Sequence, residues 1–132
     1  MKEIILNFIA VFVGGGIGAI LRYLALLLTK YFSILPLFGT FFVNILGCFA
    51  IGFIFAMSLF KVSFLSSCAK LFLTVGILGA LTTFSTFNLE IFELIKSAKI
   101  FLGLIYLFLS CFLGLFATFL GYKLAFLIFA NN

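Results

Sequence analysis

The residues best suited to chemistry in this 132-residue chain gather in one stretch, "GALTTFSTFNLE", at positions 79–90. Hydroxyl side chains, two phenylalanines and a glutamate lie there within otherwise apolar sequence. Gly76 and Gly79 can break a membrane helix at this point, and irregular backbone at membrane depth is tolerated only where protein or a cavity covers it. A break would free carbonyl groups on one half and amide groups on the other, and such half-helix ends coordinate ions. Thr82 and Thr83 are suited to cap the second half.

Hydrogen-bond donors recur in the other apolar stretches. Thr40 and Asn44 share one helical face at i and i+4, and Asn44 brings two amide N–H donors. Arg22 lies in an apolar run, where an arginine is a functional candidate by default, although its side chain can also reach toward lipid headgroups. Tyr106 and Ser110 belong to a polar stripe that recurs every four residues. Packing is the competing interpretation: a helix–helix hydrogen bond for the asparagine, and back-bonding to their own helix for the hydroxyls.

This inventory of donors, with no acidic residue at mid-depth, suits a small anion better than a cation. Phe84 and Phe87 lie at i and i+3 and can turn the positively polarised edges of their rings toward an anion. Ser85 and Thr86 turn elsewhere, and Glu90 lies near the loop end of its helix. The chain contains no histidine, which argues against a proton relay. The residues therefore predict passive conduction of an anion.

The elements that must position these residues follow from composition. The chain is 67% hydrophobic and 8% charged, with a mean hydropathy of +1.49, which is typical of integral membrane proteins. A spanning helix needs about 20 apolar residues, and four windows qualify, at residues 4–29, 35–60, 68–95 and 100–129. We expect an all-α membrane protein, a single four-helix transmembrane domain over residues 1–132 whose third helix is broken near mid-membrane.

Enzymatic function finds no support in the motifs. The windows occupy nearly the whole sequence, and it contains no nucleotide-binding loop, Ser/His/Asp set or metal-ligand cluster. We therefore expect that the protein is not an enzyme. Cys48, Cys68 and Cys111 form no CxxC pair and are interpreted as buried small hydrophobic residues. The oily N-terminus resembles a signal peptide but runs on to Thr29, which is too long for a cleaved segment.

Basic residues divide evenly between the two membrane sides that four spans define. One side carries Lys2, Lys61, Lys70 and Lys123, and the other carries Arg22 and three lysines. A Lys/Arg bias normally fixes orientation, and here the two sides are equal. A chance balance or one dominant lysine explains this, and so does dual topology with an antiparallel homodimer. The net charge of +5 is scattered over helix ends and indicates no nucleic-acid partner.

Three blocks, "GGGIGAILRY", "GTFFVNILGCFAIG" and "GILGALTTFSTFNLE", occur in this order across the first three predicted helices. With them the chain resembles the fluoride channel family (Fluc, also called CrcB) of small bacterial membrane proteins. The resemblance implies a fluoride-selective channel of the cell inner membrane that lowers cytoplasmic fluoride passively. It also implies an antiparallel dual-topology homodimer with two pores and a structural Na⁺. The fourth helix matches only in the spacing of Tyr106 and Ser110, and two small departures are Cys48, where serine is expected, and Ala80, where glycine is common.

The resemblance also implies roles for individual residues. The implied fluoride pathway comprises Asn44, Phe84, Phe87, Ser85, Thr86, Thr40, Tyr106, Ser110 and Arg22. Among these, Asn44 would be the pore asparagine, the two phenylalanines would form a box, and Arg22 would be the basic residue of the vestibule. The backbone carbonyls of Gly79 and Thr82 would bind the central sodium ion.

Two other interpretations stay open at this point. A small multidrug-type, proton-coupled transporter also has four helices, but it needs an embedded carboxylate in the first helix. This chain has only Glu3 there, at the extreme end of the helix. A non-transporting membrane subunit would use its polar groups only to hold helices together.

Overall fold

Four long helices build the protein in the computed structural model, which describes residues 1–60 and 66–130. Each is long and apolar enough to cross a membrane, and their bounds are Lys2–Tyr31, Pro36–Leu59, Ser67–Lys96 and Ile100–Phe129. The first two are continuous and are called α1 and α2. Within the two described stretches no strand occurs. The prediction of an all-α, four-span membrane protein is confirmed.

The third span is interrupted, as predicted. It consists of α3 (Ser67–Leu71), a π-helical segment (Phe72–Leu78), α4 (Gly79–Leu81) and α5 (Phe84–Lys96). Between α4 and α5 the backbone is extended at two threonines, with φ −79° and ψ 155° at residue 82 and φ −149° and ψ 122° at residue 83. The last span, Ile100–Phe129, is the continuous helix α6.

The two glycines that were predicted to cause the break do not lie at it. Gly76 is inside the π-helical segment, and Gly79 has helical dihedral angles of φ −62° and ψ −34°. A Cβ atom at position 76 would lie 2.9 Å from the Cα atom of Gly14, so close helix packing explains that glycine. The break itself depends on hydrogen bonds to the two threonines, which are described with the site.

Helix α1 packs directly on the backbone of the first half of the third span. A Cβ atom at Gly14 would lie 2.5 Å from the carbonyl oxygen of Phe72, and one at Gly18 would overlap the carbonyl of Ile77. Gly15 has open space around it. The small-xxx-small spacing of Gly14 and Gly18 therefore serves backbone-to-backbone packing inside one chain.

Helices α2 and α6 form the other close pair, with Ala56 and Ala125 fully buried between them. The third span connects the two pairs by changing partners at its break. Its π-helical segment and α4 lie on α1, whereas α5 lies on α6 and α2. The break is therefore the point at which one chain segment passes from one helix pair to the other.

Large apolar side chains cover the outside of the bundle, including Phe12, Phe101 and Leu115, each more than 70% exposed. Such a surface is costly in water and favourable in lipid or against another apolar protein surface. Lys61, which entered the charge balance above, lies outside the described residues. The fold is thus a multi-pass membrane protein whose irregular backbone lies in the middle of one span.

Candidate functional site

The break is held open by one side chain of α2. The Asn44 carboxamide oxygen accepts the Thr83 N–H at 2.8 Å, and its nitrogen donates to the Thr83 carbonyl oxygen at 3.1 Å. One amide therefore satisfies both backbone groups of an extended residue, which in lipid would otherwise lose their partners at a cost of several kcal/mol. The helix–helix hydrogen bond considered for Asn44 exists, and the second amide N–H has no acceptor within residues 1–60 and 66–130.

Gly47, one turn after Asn44 in α2, makes room for this arrangement. A Cβ atom there would overlap the Thr82 methyl group. Only glycine lets α2 approach the break closely enough for Asn44 to reach Thr83. The pattern of Asn44 followed by Gly47 therefore positions the break from outside the broken helix.

The threonine and serine hydroxyls of the motif divide into two groups. Thr82 donates to the Leu78 carbonyl at 2.8 Å, which is back-bonding to its own helix. Thr83 caps α5, because its hydroxyl accepts the Thr86 N–H at 3.2 Å. The same hydroxyl lies 3.1 Å from the Thr86 hydroxyl and 3.4 Å from that of Ser85. Of the two predicted caps, Thr83 is confirmed and Thr82 is wrong, because its hydroxyl is bonded to the preceding helix. The Ser85 and Thr86 hydroxyls lie beside the Thr83 hydroxyl, and their place on an ion pathway stays a prediction.

The carbonyls at the end of α4 have lost part of their helical hydrogen bonding. The amide that would close a helical turn onto the Gly79 carbonyl belongs to Thr83, and it is directed to Asn44 instead. The Thr82 carbonyl accepts a hydrogen bond from the Arg22 guanidinium at 3.4 Å. Arg22 is half-buried, and its role as the basic residue of the vestibule stays a prediction. A cation at this helix end complements the negative end of the α4 dipole.

A cavity of about 390 Å³ opens beside the break. It is lined by Asn44, Gly47, Cys48, Ile51, Thr74, Leu78, Gly79, Thr82, Thr83, Phe84, Phe87, Ser110 and Cys111. Four side chains of the predicted pathway therefore line one cavity: Asn44, Phe84, Phe87 and Ser110. The Ser110 hydroxyl oxygen is buried and has no partner among the described residues. An unpartnered buried hydroxyl is costly unless a water or ligand meets it.

The two phenylalanines of the cavity differ in burial. Phe84 is 79% exposed and Phe87 is 5% exposed, and their ring centroids lie 6.2 Å apart. The Phe87 ring also meets the Tyr106 ring in an edge arrangement at 5.1 Å. Phe87 therefore connects the cavity to the residues packed behind it, whereas Phe84 is available to a partner outside the chain.

Behind Phe87 lies the Glu90 carboxylate, which was not among the predicted site residues. The Thr40 hydroxyl donates to Glu90 at 2.7 Å and the Tyr106 hydroxyl donates to it at 2.8 Å. Tyr106 also lies 3.3 Å from the Leu37 carbonyl. The two hydroxyl donors predicted to face an ion are thus directed at Glu90. In the sequence, Glu90 lies four residues after Thr86 and so on the same helical face, and this spacing was the signal that could have placed Glu90 in the site.

The three cysteines occupy two different environments. Cys48 is half-buried and Cys111 is exposed, and both line the cavity. Cys68 is half-buried, with its sulfur 4.0 Å from the Leu6 carbonyl oxygen, and it does not belong to the lining of the cavity described above. The expectation of three buried thiols is therefore wrong, because two of them border an open space.

The fold and the site together define a small multi-pass membrane protein whose broken third span borders a cavity lined by hydrogen-bond donors. The chain belongs to the CrcB family: its residues 9–122 match the family described as "CrcB-like protein, Camphor Resistance (CrcB)". The family resemblance inferred from three sequence blocks is confirmed.

Several similar proteins carry the name "Fluoride-specific ion channel FluC". The protein of Flavobacterium psychrophilum is 42% identical over 113 residues, which cover 85% of this chain and 90% of that protein. The one from Thermus thermophilus is 42% identical over 119 residues, 89% of this chain and 94% of the relative. The one from Shewanella halifaxensis is 43% identical over 121 residues, which cover 91% of this chain and 96% of the relative. A family whose members are named channels confirms the prediction that the protein is not an enzyme.

Proposed function

We propose that the protein is a fluoride-selective channel that conducts F⁻ passively and lowers fluoride in the cytoplasm of a bacterium, from a position in the inner membrane. Family membership supports this proposal, because the similar bacterial proteins described above are named fluoride-specific channels. The cavity at the break supports it independently. Its lining contains hydroxyl and amide donors and no carboxylate, which suits an anion.

The observation that carries the proposal is the buried, unpartnered hydroxyl of Ser110. Fluoride is small and tightly hydrated, so it enters a narrow site only where strong donors replace its water. The Ser110 hydroxyl and the second N–H of Asn44 are two such donors on the same cavity. A hydrogen bond to a charged partner contributes about 1.5–3 kcal/mol.

The phenylalanine rings add selectivity in this proposal. A ring edge carries partial positive charge, and it attracts an anion without offering a hydrogen bond to water. Phe84 and Phe87 lie at the cavity with a centroid distance of 6.2 Å. Their bulk and rigidity leave too little room for larger halides.

We further propose that two copies pair in antiparallel orientation. The cavity is open on one side of the single chain, and the exposed Phe84 ring at its edge offers a surface to a second copy. The equal distribution of basic residues allows both orientations to insert. A two-fold pair contains two equivalent cavities, and hence two pores.

The carbonyls of Gly79 and Thr82 are suited to a structural sodium ion between the two copies. Sodium is a hard cation that prefers oxygen ligands, as other hard cations do, and the Gly79 carbonyl lacks its helical partner because the Thr83 amide is directed elsewhere. The Thr82 carbonyl has two lone pairs, so it can accept from Arg22 and still bind an ion. The ion would supply cohesion between subunits, while the hydroxyls, the amide and the rings handle fluoride.

The multidrug-type alternative is not favoured. Its proton exchange needs a carboxylate within the first span, and α1 has only Glu3, in its first turn. Glu90 is bound by two hydroxyl donors and lies in the third span.

Purified protein in liposomes loaded with potassium fluoride tests the proposal directly. We expect fast fluoride efflux, followed by an ion electrode after valinomycin is added, and negligible efflux from chloride-loaded vesicles. Ser110→Ala should slow fluoride efflux at least about tenfold, from the loss of one charge-assisted hydrogen bond. Thr118→Val is the matched control, because the Thr118 hydroxyl is already bonded to the Gly114 carbonyl on the same helix. Equal chloride and fluoride rates, or full activity without the Ser110 hydroxyl, would contradict the proposal.

The dimer and the sodium ion need a separate measurement. Replacing Na⁺ with N-methylglucamine in detergent should shift purified protein from dimer to monomer in sedimentation. A dimer of unchanged stability would remove sodium from the proposal and leave the fluoride pathway in place.

A further inference from the structure

Two free thiols line the same cavity as the predicted ion donors. Cys48 comes from α2 and Cys111 from α6, and both belong to the lining that includes Ser110. The third cysteine, Cys68, is outside this lining and serves as an internal reference. A thiol is a weak hydrogen-bond donor and, once deprotonated, a strong ligand for soft metal ions.

The Cys48 sulfur lies against the turn of α6 that follows Cys111. The Cys48 sulfur lies 3.3 Å from the position that a Cβ atom would take at Gly114. Cys111 precedes that glycine by three residues on the same helix, where side chains at i and i+3 are about 5–6 Å apart at Cβ. The absence of a side chain at Gly114 lets the Cys48 sulfur lie close to α6 at this level.

We propose that Cys48 and Cys111 form a binding site for a soft monovalent cation such as Ag⁺ or Cu⁺. Thiolates select such cations over hard ones, and two sulfur ligands suffice for them. Each thiol releases its proton to water when it binds, and no electron is transferred. One cation and two thiolates leave the complex with one net negative charge.

This charge links the site to transport, a step that rests on the proposed fluoride function. At about 4 Å and an effective dielectric of about 20, two like charges repel by about 4 kcal/mol. A bound Ag⁺ therefore blocks an anion in the cavity by charge as well as by bulk. A hard cation such as Na⁺ has little affinity for the two sulfurs and does not block the cavity by binding there.

The test separates binding from flux. In the Cys68→Ser protein, native mass spectrometry should detect one silver ion per chain, and silver should protect both remaining thiols from maleimide labelling. Adding Cys48→Ser or Cys111→Ser to this background should weaken silver binding at least about tenfold, since even outer-shell partners of metal ligands contribute roughly 10–100-fold. Chloride-free gluconate buffers keep silver in solution.

Fluoride efflux is then measured with and without silver in the same variants. We expect block in the Cys68→Ser protein and relief in either double variant. Silver retained in the double variants, or labelling that silver does not suppress, overturns the two-thiol site whatever the flux. Binding as expected in a protein that does not conduct fluoride leaves this site intact and refutes the proposed function instead.

Discussion

Asn44→Asp is the substitution that discriminates best between a pathway role and a packing role for the side chain that holds the break. The new carboxylate keeps the acceptor for the Thr83 N–H, which lies 2.8 Å away in the native protein. It removes the donor to the Thr83 carbonyl, 3.1 Å away, and places a carboxylate oxygen next to that carbonyl oxygen. It also introduces a negative charge on the cavity lining.

The magnitude follows from these two effects. The lost hydrogen bond and the unsatisfied carbonyl cost about 1–3 kcal/mol of stability. The charge repels a fluoride ion at about 4 Å by about 4 kcal/mol at an effective dielectric of about 20, which is close to a thousandfold in occupancy at about 1.4 kcal/mol per tenfold. Conduction should therefore be abolished within the sensitivity of an electrode assay while most of the protein remains folded.

The assay is fluoride efflux from liposomes, with the dimer fraction of the same preparation measured by sedimentation. Asn88→Asp is the matched control, because Asn88 is an exposed residue of α5 whose amide donates to its own helix, at the Phe84 carbonyl. This control adds the same charge outside the cavity and should conduct. Wild-type efflux from Asn44→Asp would refute the reasoning and restrict Asn44 to packing.

Three further substitutions test separate parts of the site. Phe84→Ile should cut fluoride efflux with little loss of stability, because the ring is largely exposed in the chain; unchanged efflux would remove the ring edge from the pathway. Gly47→Ala should lower the thermal midpoint by the equivalent of about 1–3 kcal/mol, since overpacking displaces the break, whereas Gly15→Ala, in open space, should not. Glu90→Gln should destabilise by about 1–3 kcal/mol because an amide nitrogen cannot accept a hydroxyl proton. Adding Thr40→Val to Glu90→Gln should then cost less than it does alone, and strict additivity would contradict a shared network.

Much of the fold could be predicted because lipid imposes a simple rule on composition. Each continuous span is recognisable by length and hydropathy, and the windows agree with the helices to within two residues at each end. The existence of a break was also predictable from polar residues within a span. Its position was not, since Gly76 and Gly79 are good helix breakers in isolation. Packing against Gly14 keeps the first of them helical, and the break shifts to the threonine that Asn44 can bond.

The sequence indicated several of the residues that line the site but not the hydrogen-bond partner of each. Asn44 and Ser110 were singled out as donors, and both line the cavity. Tyr106 was expected to offer its hydroxyl to an ion, but the hydroxyl donates to Glu90. A single sequence indicates which side chains can donate and does not indicate which acceptor is nearest. Glu90 meets donors from α2 and α6 because the third span changes partners at its break.

The hydrogen bonds between Asn44 and Thr83 have a consequence for biosynthesis. A helix with an extended interruption exposes bare backbone groups to acyl chains, so the third span has no stable form alone in the bilayer. Its partner amide is in the second span, which leaves the ribosome earlier. Insertion in chain order therefore places Asn44 in the membrane before the third span, which needs its hydrogen bonds. A chain reordered so that the second span comes last should be degraded rather than assembled.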